Sequence, residues 1–70
     1  MAEEKNELAA AENSIELARQ LIERQKQLIA NLDEAGADTL SARLILEAYE
    51  TNLRIFEGHR DYLRRRREGP

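Results

Sequence analysis

Four consecutive arginines, Arg64, Arg65, Arg66 and Arg67, with Arg60 one helical turn ahead of them, form the strongest local charge in the chain. Guanidinium groups gathered at one end of a helix neutralise phosphates, so these five residues are a candidate basic tip for non-specific, salt-dependent nucleic-acid contact. A structural role competes with that one. Cations near a helix C-terminus complement its dipole, and an antiparallel partner helix would set Glu3, Glu4 and Glu7 beside them. The acidic pI of about 5.1 and the lack of aromatic residues interleaved with the bases favour internal pairing.

His59 is the single histidine. A metal needs partner ligands, and the Glu-x-x-His pattern of di-iron helical bundles is not met, because Phe56 stands three positions before His59. As a general base the imidazole would need a nucleophile and an orienting acid, and Asp61, two positions on, falls on a different helical face. Ser14 and Ser41 lie far in sequence from any triad partner, and three scattered glycines build no phosphate cradle. Cysteine is absent, which removes disulfides, thiolate chemistry and cysteine-based zinc sites. Paired acids such as Glu3-Glu4 and Asp33-Glu34 read as solvated helix surface. The expectation is a non-enzyme with no cofactor, no metal and no catalytic residue.

The elements that would position these residues are helices. Glycine and proline occur only at Gly36, Gly58, Gly69 and Pro70, which leaves two long uninterrupted segments. Between them Gly36 suits the left-handed residue just past a helix end, and Asp38 or Thr39 suits the cap of the next helix. The spacing predicts one domain over residues 1–70, with helix over about 4–35, a turn at 36–38 and helix over about 39–67. Valine is absent and no apolar alternation of period two persists, so no strand is expected. So short a connection makes the helices antiparallel.

Each segment carries a heptad seam. In the first, Leu8, Ile15, Ile22 and Ile29 recur seven apart, with Ala11, Ala18, Gln25 and Leu32 three further on. In the second, Ala42, Tyr49, Phe56 and Leu63 recur likewise, and counting three further on gives Ile45, Asn52, His59 and Arg66. With the turn centred near residue 37, Ala18 should meet Phe56 and Ala11 should meet Leu63, small against large. His59 should then face Ile15 from inside the seam, where its protonation would confer mild acid sensitivity. Gln25 and Asn52 read as buried polar groups that penalise wrong registers.

More apolar side chains are present than one seam can cover. Leu17, Leu21 and Leu28 flank it on the first helix and Leu46, Leu53 and Ile55 on the second. Burial of each is worth roughly 1.5–3 kcal/mol, and a small chain has little stability to spare. These six residues are therefore the candidate interface of a homodimer, in which two all-α antiparallel coiled-coil hairpins form a four-helix bundle; another helical protein could cover the same stripe.

The chain opens with acidic and polar residues and contains no apolar run near the roughly 20 residues needed to span a bilayer, so a cytoplasmic location with no membrane partner is expected. The stretch Ile22-Glu23-Arg24-Gln25-Lys26-Gln27-Leu28-Ile29, then Leu32, Gly36-Ala37-Asp38-Thr39, Ala42, Leu44, Leu46, Tyr49-Glu50-Thr51 and His59-Arg60-Asp61-Tyr62-Leu63, resembles a group of short uncharacterised helical-hairpin proteins of rhizobia and related alphaproteobacteria. The resemblance covers residues 15–63 and implies a bacterial helical hairpin, with no activity to carry over. Gly58 departs from it, standing where a helix former is expected.

Overall fold

Gly36 ends the first helix in the manner its missing side chain permits. Its φ of 74° lies in the left-handed region that other residues enter at a cost of roughly 1–2 kcal/mol. That conformation turns two backbone N–H groups back onto the helix end: Gly36 donates to the Asp33 carbonyl at 3.0 Å and Ala37 to the Leu32 carbonyl at 2.9 Å, which satisfies carbonyls that a helix terminus leaves orphaned. The next helix starts under two further bonds. The Asp38 carboxylate accepts the Leu40 N–H at 2.9 Å, and the Thr39 carbonyl accepts the first helical bond, from Arg43, also at 2.9 Å.

The computed structural model describes the backbone of residues 2–68 and the side-chain surroundings of residues 6–67. Within them the chain forms α1 (Ala2–Glu34) and α2 (Leu40–Glu68), packed against each other as a hairpin. Thr39, expected to open the second helix, serves instead as the residue before it. Neither α1 nor α2 is long and apolar enough to cross a membrane.

The α1 half of the seam is as the heptads predict. Leu8, Ala11, Ile15, Ala18, Ile22, Gln25 and Ile29 are all buried. Buried Gln25 has its hydrogen-bonding capacity used across the helix pair, since its Nε2 donates to the Ala42 carbonyl at 2.9 Å. Ala11 and Leu63 share a buried cluster with Leu8, and Ala18 and Phe56 line one groove, so both expected pairings come together within the chain.

The α2 half differs. Ala42 and Leu63 are buried, but the companions lie four positions on, not three: Leu46, Leu53 and Arg60 are half-buried, whereas Ile45, Asn52, His59 and Arg66 are exposed. A seven-residue repeat divides as three and four or as four and three, so both faces satisfy the periodicity. Energetics separate them. Turning Leu46 and Leu53 inward buries two large apolar side chains, while the alternative would desolvate Asn52, His59 and Arg66. Arg60 accommodates its position by laying its stem inside and reaching Asp61 at 3.0 Å. His59 is therefore not an inner-seam residue, and the acid sensitivity expected from burying it loses its basis. Asn52 is likewise not a buried specificity device.

The same rotation of α2 brings four charged residues, Arg43, Glu50, Glu57 and Arg64, alongside Glu12, Arg19, Lys26 and Asp33 of α1. Three of the four opposed pairs form ion pairs: Arg43 with Asp33 at 2.9 Å, Arg19 with Glu57 at 3.6 Å and Arg64 with Glu12 at 3.3 Å. The fourth, Lys26 and Glu50, line one shallow groove while the Lys26 ammonium lies 3.9 Å from Glu23. A slip of one heptad in one direction would set Glu12 against Glu57 and Lys26 against Arg43. In the other direction Arg19 would meet Arg64 and Asp33 would meet Glu50. The signs thus admit one register, although each pair is half-exposed and contributes little on its own.

Gly58 sits inside α2 with open space where a Cβ would be, as does Gly36. Close helix approach is therefore not the reason for the glycine, and the two positions differ only in backbone conformation. Gly58→Ala should stabilise the fold by about 0.5–1 kcal/mol through helix propensity, and Gly36→Ala should destabilise it by about 1–2 kcal/mol through the left-handed φ; urea denaturation followed by circular dichroism reads both signs. In a double-mutant cycle, Arg19→Glu and Glu57→Arg should each destabilise, and the double exchange should recover a coupling of about 0.2–1 kcal/mol that shrinks in 0.5 M salt.

Candidate functional site

The hairpin has two unlike long edges, and both follow from which positions flank the seam. On one edge the flanking residues are the charged ladder just described. On the other, α1 presents Ser14, Leu21 and Leu28 with Leu17 beside them, and α2 presents Ile45, Asn52 and His59 with Ala48 and Ile55 beside them. This second edge is largely uncharged along its middle. Leu17 is 60% exposed, Leu21 42%, Leu28 45%, Ile45 44% and Ile55 62%, although each is an apolar side chain with the residues of the seam immediately alongside.

A groove of about 290 Å³ runs along this edge, lined by Ser14, Leu17, Ala18, Leu21, Tyr49, Asn52 and Phe56. A second hollow of about 300 Å³ shares Ser14 and Phe56 with it and extends towards the chain termini past Ala10, His59 and Glu7. Both are open and shallow, with the size and lining that take the side chains of another helix.

Of the six residues expected at a dimer interface, Leu17, Leu21, Leu28 and Ile55 lie on this edge or its border. Leu46 and Leu53 do not: they are half-buried in the intrachain seam, with Leu53 lining a groove beside Ile22. In their place the structure puts Ile45 and Phe56 on the edge, residues that the heptad count had assigned to the interior. Deciding between the two divisions of the heptad by their polarity would have found Ile45, since only one of the two candidate sets contains Asn52, His59 and Arg66; Phe56 belongs to both, and only the packing shows its exposure.

Tertiary structure also brings Ser14 and His59 to one hollow with Glu7, a proximity the sequence separation conceals. Glu7 is the acid that would have to orient the imidazole, and its carboxylate is held by Arg66 at 2.8 Å. Among the described residues no group of three or more His, Cys, Asp or Glu side chains converges as a metal site.

The arginine run divides. Arg64 bonds Glu12 and Arg66 bonds Glu7, while Arg60 is turned to Asp61. Arg66 also lies over the Tyr62 ring, 5.8 Å from its centroid. Its guanidinium is held above the usual arginine range, first by the Tyr62 side chain and then by the Glu7 carboxylate; an arginine is charged at any working pH, so the shift changes no protonation state. Arg65 is exposed, and Arg67, also exposed, lines a hollow with Leu8, Glu12 and Arg64. Glu7 is one of the three acids expected to meet the run, Glu12 is an addition, and the side chains of Glu3 and Glu4 lie outside the described residues. No protein-family model, curated protein or solved structure matches the chain.

Proposed function

We propose that this protein is a non-enzymatic helical-hairpin interaction module that works as a homodimer, with the uncharged edge of the hairpin as the contact surface. The observation that carries the reading is the inequality of the two edges: one pairs its charges within the chain, and the other leaves Leu17, Leu21, Leu28, Ile45 and Phe56 exposed, with Leu17, Leu21 and Phe56 lining a groove. An exposed apolar strip rimmed by polar groups is the usual mark of a protein contact. Joining two such strips yields a four-helix bundle, the arrangement in which helical hairpins cover their excess apolar surface.

Nucleic-acid binding by the arginine tip is the second reading. It is the weaker one, because two of the four consecutive guanidiniums are already matched to carboxylates of α1 and the net charge is -3, which opposes the approach of a polyanion.

Sedimentation equilibrium from about 1 to 100 µM tests the dimer: a folded monomer throughout that range overturns it. Leu21→Glu should raise the dissociation constant at least tenfold, about 1.4 kcal/mol, with helicity retained. Leu53→Glu should instead lower helicity and the melting temperature, since it places a carboxylate in the intrachain seam. Loss of folding in both variants, or dissociation by Leu53→Glu with the fold intact, would contradict this division of the leucines.

A further inference from the structure

Resting on that reading, the edge also specifies how a second copy sits on it. Two hairpins docked face to face about a two-fold axis have two choices. With the axis along the helices, both turns lie at one end and α1 of each copy packs on α2 of the other. With the axis across the helices, the turn of one copy lies at the terminal end of the other and α1 packs on α1. Either way the two copies would meet along a face about 55 Å long and 16 Å wide.

Charge at the end of the edge separates the two. Glu7 and Arg66 are opposite charges at the same level on neighbouring helices, bonded at 2.8 Å. With the axis along the helices, Glu7 of each copy faces Arg66 of the other, and the four groups alternate in sign around a square. With the axis crossing the helices at the level of Arg19, Glu7 comes to the level of Asn31 and Arg66 to that of Ser41, so both charges face neutral groups. Between exposed groups such matching governs orientation more than affinity.

We infer that the second copy docks on the uncharged edge with its turn at the same end as the first, each α1 lying on the other copy's α2, so that both turns occupy one pole of the bundle and all four chain ends the other. The partner is thus a second copy of this chain in a stated orientation.

The chain contains no cysteine, so a single spin label is clean. Ala37→Cys, exposed in the turn, carries the label, and pulsed dipolar spectroscopy measures the distance between copies in the full-length protein. The expected result is a single distance of about 20–30 Å, a bundle width built from helix spacings of roughly 8–10 Å. Asn6→Cys at the opposite pole should likewise give a short distance and serves if the turn label perturbs folding. A distance of about 50 Å from either label, approaching the 55 Å length of the hairpin, overturns the orientation while leaving the dimer standing. No dipolar coupling between copies, in a sample that sediments as a monomer, overturns the dimer reading beneath it.

Discussion

Burial of Leu46 and Leu53 against α1 is the constraint to which the rest of this hairpin answers. α1 has one coherent inner face, so it leaves no choice about what it presents. α2 has two candidate faces that share Ala42, Tyr49, Phe56 and Leu63, and a rotation of α2 about its own axis decides between them. Hydrophobic burial scales with area removed from water, and the face with two leucines removes more than the face with Asn52, His59 and Arg66. Once that rotation is made, the identity of both long edges follows without further freedom.

One edge receives four pairs of opposed charges, and the other receives what remains. The charged edge contributes little net stability, since half-exposed ion pairs hardly exceed the cost of ordering their side chains. Its effect lies in what it forbids, because sliding α2 by a heptad brings like charges together at two of the remaining levels. The uncharged edge has no comparable internal partner. Its leucines and isoleucine are too numerous for a two-helix contact to cover, and a chain of 70 residues buries a smaller fraction of its surface than a larger domain. Register is thereby specified within the chain on one side, while apolar surface is left exposed on the other.

This division explains the behaviour of the arginine run. Taken alone, Arg64 to Arg67 is a cationic patch. In the hairpin, helical periodicity distributes the four residues around α2, so that Arg64 meets Glu12 on the charged edge and Arg66 meets Glu7 on the other, while Arg67 borders the hollow beside Leu8 and Glu12. A run of like charges in sequence is not a patch of like charges in space when every second residue finds an acid across the helix pair.

Several features were legible from residue order alone. Gly36 marked the turn because only glycine adopts a left-handed conformation cheaply, Leu8 to Ile29 marked the inner face of α1 because the companions on the alternative face, Glu12, Arg19, Lys26 and Asp33, are all charged, and the pairings of Ala18 with Phe56 and Ala11 with Leu63 followed from the position of the turn. The expectations that failed, His59 and Asn52 inside the seam and Leu46 and Leu53 outside it, all trace to one ambiguity. A seven-residue repeat determines that a helix has a stripe but not which of two adjacent faces completes it, since 3.6 residues per turn place positions three and four ahead on either side of the same line. Only contact with α1 resolved that, by weighing apolar area against desolvated polar groups and by matching the charges of Glu12, Arg19, Lys26 and Asp33. Local spacing determined the helices, the turn and one face of the pair; the rotation of the second helix, and with it the apolar surface left exposed, was decided by the packing of one helix on the other.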